Sequence, residues 1–123
     1  MRKSLIVSTW PFGQASNEKA LEVIREGGSI LDGVEQGIHV TEADLKNVSV
    51  GVGGIPNAEG VVQLDSCIMN GPGHQAGSVA ALEDVMHPIS VARRVMEKPR
   101  MSCWPAPVPR TLRSRKESAL IKC

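Results

Sequence analysis

One tryptophan follows the first apolar segment of the chain and is the strongest candidate for a binding role. Trp10 comes shortly after Leu5–Val7, in a chain that has only two Trp, one Phe and no Tyr. A large rigid ring at the end of a buried strand is either a plug in the core or a wall of a binding pocket. These residues alone leave both roles of Trp10 open.

The other polar side chains near apolar segments do not form a catalytic pattern. Asp65 follows an apolar stretch, and we expect its carboxylate to orient a loop through hydrogen bonds. Ser8 and Thr9 have no identifiable partner base, so neither is a predicted nucleophile. His39, His74 and His87 do not show metal-ligand spacing, and no metal site is predicted.

Cysteine and glycine spacing excludes two further classes of site. The three cysteines (Cys67, Cys103 and Cys123) form no CxxC pair, so neither a disulfide framework nor a zinc site is indicated. Gly51, Gly53 and Gly54 are not followed by the Lys-Ser/Thr pair of a phosphate-binding loop. We expect these glycines to allow close backbone packing around a hairpin.

The elements that position these residues begin with a strand and two helices. The apolar run predicts a short buried strand over 5–8. A helix is predicted over 16–26, capped by Ser16 and ended by Gly27-Gly28. Ser29 and Asp32 predict a capping box for a second helix ending near Ala43-Asp44. That helix carries one apolar face made of Ile30, Leu31, Val34 and Ile38.

The rest of the chain up to residue 98 predicts a hairpin, one further strand and one helix. Alternation over 48–52 predicts a strand that pairs with 61–69 across a loop at 53–60. Asn70–Gly73 ends the second strand, and 76–82 is a third. Pro88 lies at the start of a helix over about 89–97. This order predicts a layered domain of the α/β or α+β class.

Composition changes after residue 98. Residues 1–98 carry 8 Lys/Arg and 12 Asp/Glu, whereas residues 99–123 carry 6 Lys/Arg and 1 Asp/Glu together with half of the eight prolines. We therefore divide the chain into a domain portion, 1–98, and a basic Pro/Arg-rich tail, 99–123, predicted to be disordered or extended. Binding of nucleic acid through the tail is a weak alternative, and no nucleic-acid partner is predicted.

Six segments in order resemble one enzyme family. They are VSTWPFG from Val7, GGSILDGVE from Gly27, SVGVGGIP from Ser49, LDSCIM from Leu64, GSVA from Gly77 and PISVARRVMEK from Pro88. Together they are similar to the N-terminal part of the glycosylasparaginases, which are N-terminal-nucleophile (Ntn) hydrolases. The opening Thr-Trp-Pro-Phe favours this group over the related plant-type asparaginases and isoaspartyl peptidases.

The resemblance implies a fold and an activity. Family members are four-layer αββα sandwiches, of which this chain would supply the N-terminal, α-chain portion. They hydrolyse the amide between N-acetylglucosamine and asparagine after autoproteolysis, without metal or organic cofactor. The new N-terminal threonine is the nucleophile, and its own α-amine can act as the base. Trp10 corresponds to a ring that walls the entrance of the substrate site.

The sequence departs from the family pattern in its second half. The His-Asp-Thr-Ile-Gly stretch with the nucleophile, the arginine segment for the substrate α-carboxylate and the Thr-Gly oxyanion donors are not found. No catalytic residue is therefore assigned. We expect the chain to be inactive alone, because the β chain is missing. The resemblance implies that intact relatives form oligomers and bind aspartylglucosamine-type substrates. Alternatives are a fragment of a plant-type asparaginase or isoaspartyl peptidase, and a noncatalytic product.

The tail suggests a shifted reading frame. Restoring one base before codon 99 permits Thr-Pro-His-Val-Met-Leu in place of Pro99–Trp104, as in the family. We expect residues 99–123 to be a frameshift product, with a genuine basic tail or a splice variant as alternatives. No signal peptide or membrane span is indicated. The chain as encoded is therefore expected in the cytoplasm, whereas intact relatives would also fit the periplasm or lysosome.

Overall fold

The structure is a computed structural model, and it describes residues 4–98. Its elements are helix α1 (Gly13–Arg25), helix α2 (Ile30–Glu42), a 3-10 turn (Gly51–Gly53), strands β1 (Leu64–Asn70) and β2 (Gln75–Leu82), and helix α3 (Pro88–Glu97). The mixture of helices with a small antiparallel sheet agrees with the predicted α+β class. The tail at 99–123 and its proposed frameshift origin lie outside the described residues.

Local sequence signals fix the boundary between α1 and α2. At the end of α1, Gly27 adopts a φ of +94° and its N–H donates to the Ile24 carbonyl, while the Gly28 N–H donates to the Val23 carbonyl. This is the Schellman arrangement, which needs a left-handed residue that glycine adopts readily. Ser29 and Asp32 then form the predicted capping box. Both predictions are confirmed.

The start of α1 differs from the prediction. The helix begins at Gly13, one turn earlier than Ser16, and its N-cap is Phe12 without a side-chain cap. Ser16 instead lies buried inside the helix and its hydroxyl bonds to that of Thr41 in α2. A serine can cap the N-terminus of a helix or pack within the helix. Here the contact with Thr41 in the neighbouring helix favours the second position.

Helices α1 and α2 pack closely because small residues lie between them. A Cβ placed on Gly37 would lie 2.6 Å from the Ser16 carbonyl oxygen, and one on Gly33 would lie 3.1 Å from the Ala20 carbonyl oxygen. The apolar face predicted for α2 is divided as a result. Leu31 and Ile38 pack toward the core, whereas Ile30 and Val34 are exposed.

The hydrophobic core lies between α3 and the hairpin. Strand β1 pairs antiparallel with β2, from Leu64 opposite Leu82 to Asn70 opposite Gln75. The core residues are Ile68, Val79, Leu82, Ile89, Ala92, Val95 and Met96. A Cβ on Gly77 would lie 2.2 Å from the Ala92 carbonyl oxygen, so the sheet and the helix approach to backbone contact. The predictions of β2 and α3 are confirmed.

Two predicted strands are wrong. Residues 5–8 form no strand, and Leu5 is 87% exposed rather than buried. Residues 48–52 contain bends and the 3-10 turn instead of a strand, so the predicted partner of 61–69 is replaced by β2. Alternating valines resemble a strand, but Gly51 has a φ of +69° and turns the backbone against Glu42. Among residues 4–98, no helix is long and apolar enough to cross a bilayer.

The close contact of α1 with α2 gives a test in which packing opposes helix propensity. Gly37→Ala should lower the free energy of unfolding by about 1–3 kcal/mol, although alanine is the better helix former by about 1 kcal/mol. Its methyl group would meet the Ser16 carbonyl oxygen. Urea unfolding of the full chain measures the change. Gly71→Ala is the control, since a Cβ there meets nothing within 4 Å, and equal effects would refute the packing argument.

Candidate functional site

A cleft of about 480 Å³ lies where the N-terminal segment, α1, α2 and the start of β1 meet. Its lining is rich in hydroxyl groups and holds two carboxylates and two aromatic rings. The lining includes Ser8, Trp10, Phe12, Ser16, Thr41, Glu42, Gly51 and Asp65. A concave site with a few convergent polar groups is the ordinary form of a small-molecule site.

Trp10 lies on the wall of this cleft and is 64% exposed. The turn that carries it is closed by the Gly13 N–H, which donates to the Trp10 carbonyl at 2.9 Å. Within residues 4–98, Trp10 is not packed in the core, because the residue is mostly exposed. The position is compatible with a pocket wall, and the role of Trp10 in substrate binding stays a prediction.

Three hydroxyl groups of the cleft, those of Ser8, Ser16 and Thr41, are paired with one another or with an amide. The Ser16 hydroxyl bonds to that of Thr41, and the Ser8 hydroxyl donates to Asn17 Oδ1 at 2.5 Å. Amide and hydroxyl oxygens are too weakly basic to activate an attacking oxygen. The described part of the cleft can therefore orient a polar ligand through hydrogen bonds, and its paired hydroxyls are not set up as nucleophiles.

Asp65 orients the backbone, as predicted, but within the sheet. Its carboxylate accepts from the Ala81 N–H at 2.7 Å. Ala81 has a φ of +53°, and the pairing of β1 with β2 shifts between Leu64 and Ser66. The carboxylate thus accepts the hydrogen bond of the Ala81 N–H, for which the irregular β1–β2 ladder supplies no acceptor. Asp65 also lines the cleft, so it fixes one edge of that surface.

Gly51 brings the chain close beneath the cleft. A Cβ on Gly51 would lie 2.0 Å from the Glu42 carbonyl oxygen, and one on Gly53 would lie 2.5 Å from the Asn47 carbonyl oxygen. Close backbone packing was the predicted role of these glycines, although the hairpin predicted around them is not present. The 3-10 turn at Gly51–Gly53 takes its place.

Behind the cleft, a buried carboxylate joins α2 to the start of α3. Glu42 is only 3% exposed, and its carboxylate accepts from the Ile89 N–H at 3.1 Å and bonds to His87 Nδ1 at 3.1 Å. Burial raises the pKa of Glu42, while the bonds from Ile89 and His87 oppose that shift. His87 lies at the N-cap of α3, directly before Pro88. Its pairing with Glu42 was not predicted.

His39 completes a compact polar cluster. Its ring stacks on that of His87 with centroids 4.0 Å apart, and its Nε2 lies 2.8 Å from the Ser90 hydroxyl. Burial lowers the pKa of His39, and the neighbouring His87 lowers it further. The hydroxyl of Ser90 donates to Glu35 Oε1 at 2.5 Å. This cluster was not predicted from the sequence, although His39 and Glu42 have the i,i+3 spacing of one helix face.

Arg93 ties the same two helices together on their outer side. Its Nη1 lies 2.7 Å from both Asp32 Oδ1 and Glu35 Oε2, and its Nε lies 2.8 Å from Glu97 Oε1. These three carboxylates raise the pKa of Arg93 above its ordinary value. The hydrogen bonds from Ser29, followed by that from Arg93, lower the pKa of Asp32 to about 2.

Comparisons with known proteins match most of the described chain. The sequence profile of the family described as "Asparaginase" matches residues 3–104. The chain is 48% identical over 96 residues to an N(4)-(beta-N-acetylglucosaminyl)-L-asparaginase of Elizabethkingia miricola, covering 78% of the chain and 28% of the relative. It is 43% identical over 93 residues to the mouse (Mus musculus) protein of that name, covering 76% and 27%.

Similarity extends to a second kind of relative. The chain is 42% identical over 90 residues to a plant-type L-asparaginase of Pyrococcus abyssi, covering 65% of the chain and 29% of the relative. The chain thus spans less than a third of the length of the curated relatives it matches.

The lowered pKa of Asp32 predicts how stability depends on pH. The carboxylate is favoured in the folded state, so its contribution is complete above the ordinary value of 3.8 and is lost as pH falls through about 2. Asp32→Asn should therefore lower stability at neutral pH, and its difference from wild type should shrink as pH falls between these two values. Urea unfolding across the pH range measures the difference.

A surface carboxylate outside this network gives the matched control. Glu59 is exposed, and its backbone N–H is held by Asn57. Glu59→Gln should give only a small difference from wild type. A difference for Asp32→Asn that stayed constant down to pH 2 would contradict the assignment.

Proposed function

The chain belongs to the asparaginase family, and on that premise we propose that it forms part of the substrate cleft of an amide hydrolase. The proposed reaction is hydrolysis of the amide between N-acetylglucosamine and the asparagine side chain. The observation that carries the proposal is the 48% and 43% identity to two proteins named for that activity. The family match at residues 3–104 includes every residue that lines the cleft.

Trp10 is proposed as the wall of that cleft at its entrance. Its exposed ring lies beside a surface of hydroxyl groups and the Asp65 carboxylate. An aromatic face of this kind offers a rigid apolar contact, whereas the neighbouring oxygens can hydrogen-bond to a polar ligand. A glycosylated asparagine has both kinds of surface, so it is the type of ligand that this arrangement supports.

The nucleophile is proposed to come from outside the described residues, from a second, β chain of the kind that the family resemblance implies. The cleft hydroxyls of Ser8, Ser16 and Thr41 are held by groups that cannot act as a base. An N-terminal threonine brings its own α-amine as base. Residues 4–98 would then form one wall of the substrate site, and the β chain would supply the attacking group.

The four-layer αββα sandwich is the architecture that we propose for the intact domain. Leu5 and Val7 are exposed in a segment without regular secondary structure, and β1 and β2 make a sheet of only two strands within residues 4–98. Apolar extended segments are stable as strands when they pair and are covered on a face. In the sandwich, residues 5–8 would join a larger sheet.

A second candidate is an L-asparaginase or isoaspartyl peptidase activity. The 42% identity to the plant-type L-asparaginase of Pyrococcus abyssi favours it. The two candidates differ in the leaving group, because the glycosylated substrate presents a sugar where asparagine presents ammonia. Assays with both substrates distinguish them.

A chimera tests the proposed activity in a complete enzyme. Residues 3–98 of this chain would replace the matching segment of the Elizabethkingia miricola relative, which supplies the remaining 72% of its length. We expect the chimera to hydrolyse N-acetylglucosaminyl-asparagine with a higher kcat/KM than L-asparagine or a β-aspartyl dipeptide. Equal or higher kcat/KM for the latter two substrates would favour the second candidate. A folded, processed chimera without amidase activity would refute both.

The same chimera tests Trp10. Trp10→Ala should lower kcat/KM for the glycosylated substrate by about 10-fold, equivalent to about 1.4 kcal/mol of lost contact, and should affect L-asparagine less. Leu45→Ala is the control, because Leu45 is an exposed apolar residue that does not line the cleft. An unchanged kcat/KM in the Trp10 variant would show that the ring is not part of the substrate site.

The full chain by itself provides a separate test of the proposed origin of the nucleophile. Purified protein of verified mass should show no turnover of N-acetylglucosaminyl-asparagine above the buffer rate. Turnover by the unassisted chain would place the attacking group within residues 1–123 and overturn this part of the proposal.

A further inference from the structure

The His39–Glu42–His87 cluster lies behind the cleft and takes no part in the proposed hydrolysis. One donor atom from each of these side chains lies within 4.8 Å of the other two. Two imidazoles and one carboxylate are a common donor set for first-row transition metals. His39 and Glu42 come from consecutive turns of α2, and His87 comes from the residue before α3.

We propose that His39, Glu42 and His87 bind a divalent transition-metal ion of the Zn²⁺ or Ni²⁺ type and join α2 to α3 through it. His87 Nδ1 and Glu42 Oε2 are 3.1 Å apart. Two ligands of one tetrahedral ion, each about 2.0–2.1 Å from the metal, are separated by about 3.3 Å. The ion would occupy the place of the proton between these two atoms, and that proton would leave to solvent.

The surroundings fit such an ion. Glu42 Oε1 is held by the Ile89 N–H, and His39 Nε2 is held by the Ser90 hydroxyl, which in turn donates to Glu35. Partners of this kind orient metal ligands and fix the tautomer of a ligating histidine. Because Nε2 of His39 contacts Ser90, Nδ1 is the nitrogen of His39 that is left to bind the metal. Both histidine side chains keep more than a quarter of their surface exposed, so an ion can reach them.

Binding requires one local movement. The two imidazole rings are stacked with 28° between their planes, and the lone pairs of stacked rings do not converge on one point. His39 must turn out of the stack to complete the coordination. Metal binding therefore breaks the stack, whereas a purely structural cluster would keep it.

Calorimetric titration with Ni²⁺ tests the proposal on the untagged full chain. Cys67, Cys103 and Cys123 are replaced by serine in every sample, because thiolates bind the same metals. We expect one ion per chain at neutral pH and weaker binding near pH about 5, where protons compete for the imidazoles. Absence of binding overturns the proposal.

Single substitutions identify the ligands. His39→Ala and His87→Ala should each weaken Ni²⁺ binding by about 10-fold or more, since even indirect partners of a metal have effects of that size. His74→Ala is the matched control, because His74 lies in the exposed hairpin turn outside the cluster. Binding that is lost equally in the His74 variant, or kept in the other two, overturns the assignment.

A measurement on the chain without histidine substitutions covers the case in which a variant fails to fold. Paramagnetic Ni²⁺ should broaden the imidazole NMR signals of His39 and His87 at concentrations that leave those of His74 sharp. Equal broadening of all three histidines would mean nonspecific binding and would refute the site. Because neither measurement uses enzymatic activity, its outcome is independent of the proposed hydrolase function.

Discussion

The buried carboxylate of Glu42 is the interaction on which the rest of the structure depends. It lies at the last residue of α2 and accepts from the Ile89 N–H in the first turn of α3. That N–H has no partner within its own helix, and the N-cap residue, His87, does not cap it with its side chain. The positive end of the α3 dipole also favours a negative charge there. One side chain of α2 thus caps α3.

The position of Glu42 links the core, the cleft and the histidine cluster. Its backbone is the surface against which Gly51 packs, and its side chain bonds to His87. Arg93 adds a second connection between α2 and α3 through Asp32 and Glu35. The two connections fix α2 against α3, and α3 packs on the hairpin. The position of the cleft wall contributed by α2 is therefore set by its polar contacts with α3.

The cleft and the cluster serve different chemistry. The cleft presents paired hydroxyls and the exposed Trp10 ring, which suit recognition of a polar ligand that also has an apolar face. The cluster presents imidazole nitrogens and a carboxylate, which suit a cation or a proton. Glu42 belongs to the lining of the first and to the donor set of the second. An ion bound by the cluster would thus be in contact with the rear of the cleft.

Features that depend on near neighbours in the chain could be predicted from the residues alone. The capping box at Ser29 and Asp32, the glycine end of α1 and the start of α3 at Pro88 each need only a few adjacent residues. These patterns are readable because each contact joins residues a few positions apart, although the cap predicted at Ser16 gave way to a contact with Thr41 in α2. The family resemblance was also carried by short segments in order.

The pairing of segments and the meeting of distant polar groups depend on the packing of the whole fold. The alternating valines at 48–52 and the apolar run at 5–8 have strand-like sequences, yet a strand needs a partner that its own sequence does not specify. Glu42 is 47 residues from Ile89, and its contact with His87 likewise comes from packing α2 beside α3. Contacts between side chains so far apart in sequence produce no periodic sequence pattern. The fold of the backbone between them determines whether the two side chains meet.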